Sequence, residues 1–161
     1  MSTYNFNDGN GPVPAHQHTN GGGWVADTAT VDEKAFVGPN ALVSGNAKVY
    51  GDAKVSGNAK VSGNAQVYGY ARVCDNALVS GNALVSGNAK VTKTPVRISR
   101  SDGYDFIIVP CADNIDRIIA GCRYFTYDEA DKHWNKEHKM YTETTIILEA
   151  LKKLYELQKS S

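Results

Sequence analysis

The sequence has no apolar run long enough to span a bilayer and no positively charged leader followed by an apolar stretch. Its 17 basic and 17 acidic residues cancel, so binding to a polyanion would have to come from a local patch of charge. Three cysteines, at positions 74, 111 and 122, show no close pairing motif, which is typical of reduced thiols. We therefore expect a cytoplasmic protein with no membrane partner and no general affinity for nucleic acid.

What the sequence does contain is a six-residue repeat that never slips. Alanine occupies eleven positions six residues apart, and valine follows each of them two positions later: Ala29, Ala35, Ala41, Ala47, Ala53, Ala59, Ala65, Ala71, Ala77, Ala83 and Ala89. Residues two apart in a strand point to the same side, so each Ala-x-Val sends two apolar groups inward and one residue outward. Turn formers, most often Ser-Gly-Asn, separate the units. A period this short predicts a solenoid.

The repeat resembles the hexapeptide-repeat family, in which a small residue stands four positions after an aliphatic one, as Ala47 follows Val43. The resemblance covers about residues 26–92. It implies a left-handed parallel β-helix of triangular section, with three hexads in each coil and about 3.7 coils in all. The expected fold class is therefore mainly β, a left-handed parallel β-helix with a small C-terminal α+β cap.

The sequence divides into three segments. Residues 1–24 are rich in Gly, Asn and His and are expected to form a flexible arm or an N-terminal cap. Residues 25–92 form the β-helix. Residues 93–161 are expected to form a β-β-β-α-α unit that caps the last coil and takes part in assembly.

Within the C-terminal segment, strands are expected at 96–98, 104–109 and 115–124, the first two joined by the turn Ser101-Asp102-Gly103. Thr126 and Glu129 form a capping box, which predicts a helix to about Lys136. A second helix, from about 142 to 158, should bury one apolar face: Ile147, Leu148, Leu151, Leu154 and Tyr155. The stretch 118–125, followed by a helix carrying Trp134, is similar to the tails of hexapeptide-like proteins of bacteriophages. That resemblance implies a phage protein acting in the bacterial host cytoplasm.

The thin core of one small and one branched residue per hexad, together with the open sheet edges at the ends of a β-helix, predicts a homotrimer. With three hexads per coil, residues 18 apart stack on one face, about 4.8 Å apart. The least polar face shows Leu42, Ser44, Lys60, Ser62, Leu78 and Ser80, and we expect it to be the subunit contact.

The other two faces supply the candidate ligand-binding residues. One stacks Lys54, Arg72 and Lys90, three like charges that call for anions nearby. The other stacks Tyr50 and Tyr68, whose rings could pack on a base. The alternative is a solvated face on which the long side chains fan apart. Cys74 points outward beside Arg72, whose charge could lower the pKa of the thiol, but a lone exposed thiol is usually inert.

Histidine is missing from residues 26–92, and this weighs against two activities that the family resemblance raises. Hexapeptide-repeat acyltransferases use coenzyme A and a coil or loop His as general base, and γ-class carbonic anhydrases bind zinc through three coil His. The four His are at 16, 18, 133 and 138, and those in the arm or tail could still reach the site of a neighbouring subunit. His16-Gln17-His18 is not expected to hold a metal. No catalytic residue, metal site or cofactor is assigned.

The sequence therefore predicts a non-catalytic trimeric binding protein. Its partner would be a host protein or a small anionic nucleotide, and a phage protein of this kind could antagonise a bacterial defence system by docking on a host component or by sequestering that nucleotide. The alternative is a coenzyme A-dependent acyltransferase of the hexapeptide-repeat family.

Overall fold

The computed structural model describes residues 2–111, 113–121, 123–134 and 138–160 of the chain, which folds into two compact units, Met1–Thr94 and Pro95–Ser161. The first unit is built from short strands of two to six residues: β1 (Thr3–Asn5), β2 (Pro12–Gln17), β3 (Trp24–Ala26), β4 (Thr30–Val31), β5 (Phe36–Val37), β6 (Leu42–Val43), β7 (Lys48–Val49), β8 (Lys54–Val55), β9 (Lys60–Val61), β10 (Gln66–Val67), β11 (Arg72–Val73), β12 (Leu78–Val79), β13 (Leu84–Val85) and β14 (Lys90–Val91).

Strands β3 to β14 wind into a parallel β-solenoid with three faces. The faces are the sheets β3-β6-β9-β12, β4-β7-β10-β13 and β5-β8-β11-β14, so the chain returns to the same face after every third strand. Val67, for example, pairs with Val49 on one side and Val85 on the other, each 18 residues away. The predicted coil of three hexads is therefore confirmed, and the solenoid makes four turns.

The repeat fills the interior as its alternation predicts. From Ala35 to Val91 the alanine and valine of every hexad are at most 5% exposed. The residue between them points outward, where it is half-buried or exposed. The core is thus a stack of small and branched side chains, and the outward residues are left to decide function.

The Ser-Gly-Asn corners are held by backbone conformation and by asparagine ladders. Gly63 has φ +67°, and an added Cβ there would lie 2.9 Å from the backbone nitrogen of Gly81 in the next coil. The Asn64 side-chain amide donates to the Asn82 side-chain oxygen at 3.2 Å. Glycine thus permits the left-handed bend and the close stacking of coils, while asparagine links the coils from outside.

The glycine corners allow these two requirements to be separated by a pair of substitutions. Gly51 has φ +69°, nearly the same as Gly63, but its added Cβ would lie 3.5 Å from the nearest atom, an ordinary contact. Gly51→Ala should therefore cost only the left-handed conformation, roughly 1–2 kcal/mol. Gly63→Ala should add the overpacking of two coils, typically about 1–3 kcal/mol more. Urea unfolding of the two variants measures the difference, and equal losses would contradict the close stacking.

The solenoid begins one hexad earlier than the repeat indicates. Val25 is fully buried and pairs with Val43, in the register of the later valines. Gly23 stands where the repeat would have alanine, because a Cβ there would lie 2.3 Å from the Gly38 carbonyl oxygen. This substitution hides a twelfth hexad from a search for Ala-x-Val.

Residues before the first coil cover the starting edges of two faces. Strands β1 and β2 form an antiparallel hairpin, and β2 pairs with the free side of β3. The segment 18–23 then covers β5. The Val37 amide donates to the Asn20 carbonyl, and the Val37 carbonyl accepts from the Gly23 amide. Phe6 is 3% exposed and packs in a small cluster with Ala15 and Ala26. The sequence allowed residues 1–24 to be either a flexible arm or an N-terminal cap. Backbone hydrogen bonds tie this segment to the solenoid, so it is a cap.

The second unit contains a four-stranded antiparallel sheet in sequential order: β15 (Val96–Ser99), β16 (Asp105–Val109), β17 (Arg117–Ala120) and β18 (Arg123–Thr126). The hairpin predicted around Ser101-Asp102-Gly103 is confirmed. The single third strand predicted over 115–124 is wrong, since two strands turn at Gly121, where φ is +56°. The β-β-β-α-α pattern is therefore β-β-β-β-α-α. Apolar residues continue on both sides of Gly121, which concealed the turn.

Two helices, α1 (Tyr127–His133) and α2 (Tyr141–Ser160), complete the second unit. The predicted capping box of Thr126 and Glu129 is confirmed, and the predicted helix end at Lys136 lies outside the described residues. Helix α2 buries Ile147, Leu148, Leu151 and Tyr155 as predicted, together with Thr144. Leu154 is 48% exposed and was wrongly assigned to this face. Neither helix is long and apolar enough to cross a membrane, in the part of the chain that the structure describes.

Candidate functional site

The three predicted cations lie in one column on the face β5-β8-β11-β14, which we call the basic face. Arg72 is the register partner of Lys54 on one side and of Lys90 on the other. All three side chains are exposed, and neighbouring backbones are about 4.8 Å apart, the spacing of strands in a sheet. The placement predicted from the 18-residue period is therefore confirmed.

No ion pair joins any of these three cations to a carboxylate within the described residues. Every ion pair found there involves other cations, namely His16, Arg97, Arg100, Arg117 and Lys159. Like charges held at this spacing repel one another, and a bound anion would relieve the repulsion. The column is thus an electrostatic feature that the folded chain leaves open to a ligand.

A cysteine follows the middle cation on the same face but is not activated by it. Cys74 is half-buried, and its Sγ lies 3.6 Å from the Asp75 carboxylate. Burial raises the pKa of the thiol, Asp75 raises it further, and Lys90 and Arg72 oppose the shift without reversing it. Arg72 thus lowers this pKa as expected, but burial and Asp75 outweigh it and the net shift is upward. The thiol stays protonated at neutral pH and is no nucleophile.

The predicted stack of Tyr50 and Tyr68 is confirmed, on a different face from the cations, as the 18-residue period places it. Tyr50 and Tyr68 stack with ring centroids 4.9 Å apart and planes 2° apart. The Tyr50 hydroxyl donates to the Gln66 side-chain oxygen at 3.2 Å. Burial, followed by Tyr68 and Asp32, raises the pKa of Tyr50. These residues flank the face β4-β7-β10-β13, so the structure does not place them in the cation column, and each ring already covers one side of the other.

Tyr70, which the sequence did not single out, is closer to the cations along the chain than Tyr50 or Tyr68 is. It is 68% exposed, at the corner between the tyrosine-bearing face and the basic face, two residues before Arg72. Its backbone amide donates to the Gly87 carbonyl at 3.0 Å, which fixes the corner. The signal that could have revealed it is the pair Gly69-Tyr70, where most corners have Gly-Asn.

The histidines of the first unit belong to the N-terminal segment, at the starting end of the solenoid. His16 Nδ1 lies 2.8 Å from the Asp27 carboxylate, with both side chains about half exposed. His18 is buried, and its Nε2 hydrogen-bonds the Ala35 carbonyl at 2.9 Å. In the second unit, burial followed by Arg123 and His138 lowers the pKa of His133. Among the described residues no group of three or more His, Cys, Asp or Glu is arranged to hold a metal ion.

Comparison with known proteins finds a family similarity within the repeat. A family model described as the YdcK beta solenoid repeat matches residues 53–69 and 71–87. No curated protein and no solved structure matches the chain. The matched segments lie within the coils, so the similarity and the parallel register together place this unit among repeat β-solenoid proteins.

Proposed function

We propose that the chain is a non-catalytic binding protein that holds an anionic ligand along its basic face. The observation that supports this most is the column of Lys54, Arg72 and Lys90, exposed and without a carboxylate partner among the described residues. A linear anion with several charges would meet one cation per coil. Charge-assisted hydrogen bonds from ammonium and guanidinium groups are the strongest that side chains make to phosphate or carboxylate.

Among anions, a nucleotide fits this surface best. Its phosphates would lie along the cations, and its base would stack on Tyr70 at the corner. Stacking on an aromatic ring is worth about 1–3 kcal/mol per base. Tyr70 replaces the predicted Tyr50 and Tyr68 in this role, because their rings flank another face and already stack on one another.

We propose that the solenoid is a left-handed β-helix of the hexapeptide-repeat family. The protein assembles as a homotrimer in the cytoplasm. If a phage encodes it, as the resemblance of the C-terminal tail implies, ligand capture would sequester a host nucleotide, or the same face would dock on an acidic host protein. Either use would antagonise a bacterial defence system without catalysis.

Acyl transfer is the second candidate, and one observation favours it. The pair of His16 and Asp27, joined at 2.8 Å, is an arrangement in which a carboxylate orients a general base. Both residues lie at the start of the solenoid, away from the basic face. A transferase would therefore need a coenzyme A site built around this pair rather than around the cation column.

A thermal-shift panel separates these functions. Melting of the full chain would be followed with coenzyme A, acetyl-coenzyme A, and linear and cyclic nucleotides, since a ligand raises stability by RT ln(1 + [L]/Kd). The proposal expects a rise with nucleotides that survives His16→Ala. A rise with both coenzyme A forms alone would indicate the transferase, and no rise with any compound would leave docking on a protein.

A further inference from the structure

A groove runs along the third face of the solenoid, outside both the basic face and the tyrosine pair. Its floor is formed by β6, β9 and β12, and its wall by the loop Phe6–Asp8 that joins β1 to β2. The groove encloses about 350 Å³, within the size range of small-molecule sites. The sequence predicted a subunit contact here, but the chain's own N-terminal loop borders this surface.

One side of the floor is a column of serine hydroxyls. Ser44, Ser62 and Ser80 follow one another at successive coils, and their hydroxyls have no hydrogen-bond partner in the described part of the chain. Ser44 is only 6% exposed. Because no fully buried side-chain polar atom of the described residues lacks a partner, the Ser44 hydroxyl must open into the groove. A hydroxyl that opens into a groove and has no protein partner is a ready donor to a ligand.

Opposite charges face this groove from its two sides. Lys60 rises from the middle of the floor, and Asp8 lies on the wall. The two do not pair with each other, and no other ion pair involving either is found among the described residues. The Asp8 carboxylate is oriented by the Asn10 backbone amide, which donates to it at 3.1 Å. The groove is therefore a dipole, positive on the floor and negative on the wall.

Apolar groups occupy the two ends of the floor. Leu42 packs against the cluster around Phe6, and Leu78 is 40% exposed at the other end. Each end offers an apolar contact beside the charged centre. Binding sites of this kind combine apolar walls with a few placed polar groups that fix orientation.

From this arrangement we infer that the groove binds an apolar α-amino acid as its zwitterion. The carboxylate lies against Lys60 and accepts from the serine hydroxyls, the ammonium group faces Asp8, and the side chain contacts Leu42 or Leu78. A ligand of one charge would satisfy only one side of the groove. This site is independent of the anion site, because it uses none of the residues of the basic face.

The test uses L-leucine and two analogues that each lack one charge, 4-methylpentanoate and 3-methylbutylamine. Saturation-transfer NMR with the full chain should detect L-leucine, with both analogues binding at least tenfold more weakly. Lys60→Gln and Asp8→Asn should each weaken L-leucine at least tenfold. Lys48→Gln, which removes the equivalent outward lysine on another face, should leave binding unchanged. Unchanged melting temperatures would show that the variants fold.

Three outcomes would overturn the inference. The first is no transfer from L-leucine, isoleucine, valine or methionine, which is also the result if the groove is closed between subunits. The second is binding of 4-methylpentanoate equal to that of L-leucine, which would make the site a carboxylate site. The third is retention of L-leucine binding by both Lys60→Gln and Asp8→Asn.

Discussion

Replacement of Lys54, Arg72 and Lys90 together by glutamine is expected to abolish nucleotide binding while leaving the fold intact. The three side chains are exposed and unpaired in the described structure, so no internal contact depends on their charge. Their mutual repulsion disappears in the variant, which should melt at the same temperature as the wild type or slightly higher. Fluorescence or calorimetric titration with a linear nucleotide measures the loss, which should exceed a hundredfold if each cation contributes one charge-assisted contact.

A charge-matched control distinguishes the column from net charge alone. Lys34→Gln, Lys48→Gln and Lys60→Gln together remove the same number of positive charges from the first unit and leave Lys54, Arg72 and Lys90 in place. This control should bind within a fewfold of the wild type, apart from a general weakening at low salt. Equal loss in both triple variants would mean that the ligand senses only the overall charge of the solenoid, and the cation column would then have no special role.

Deletion of residues 2–23 is expected to convert the protein into large assemblies. The deletion removes β2 from the edge of β3 and the segment that pairs with β5, so two of the three faces lose the strands that cover their starting edges. Unpaired edges of a sheet are templates for another chain, and a solenoid offers them in perfect register. Light scattering should show species many times larger than the wild type, with retained β structure by circular dichroism.

Two further variants show whether exposed edges cause the association. Phe6→Ala opens the apolar cluster but keeps the hydrogen bonds between β2 and β3, so it should lower stability without producing large assemblies. Adding Trp24→Lys to the deletion places a charge on the exposed edge of β3 and should reduce the association. A deletion variant of the same size as the wild type would contradict the capping role of the N-terminal segment.

The solenoid was predictable because its information is local and periodic. Each Ala-x-Val fixes the inward side of one strand, and three corners close one coil, so the stacking of Lys54, Arg72 and Lys90 follows from counting 18 residues. The first coil broke the pattern at Gly23, where close contact with the Gly38 carbonyl excludes a side chain. A period search counts such a position as a mismatch, although the valine that follows it is buried in register.

Features made by non-periodic contacts could not be predicted in this way. The hairpin β1–β2 folds back on β3 through antiparallel pairing that no repeat encodes. The groove beside Lys60 depends on that fold-back, so the sequence showed only a column of Ser, Lys and Leu and favoured a subunit contact. In the second unit, Gly121 turns the chain between two strands whose apolar residues read as one run. Tyr70 was not singled out from the sequence, because its place beside the cations is marked by its 68% exposure at a corner and not by the repeat.

Calorimetric titration of the full chain with inorganic tripolyphosphate measures whether the basic face binds a linear anion. We expect saturable binding at one site per chain, with an affinity that falls steeply between about 50 and 200 mM salt because the ligand replaces ions held by three cations. Absence of binding at low salt, or an affinity that does not change with salt, would contradict the proposal.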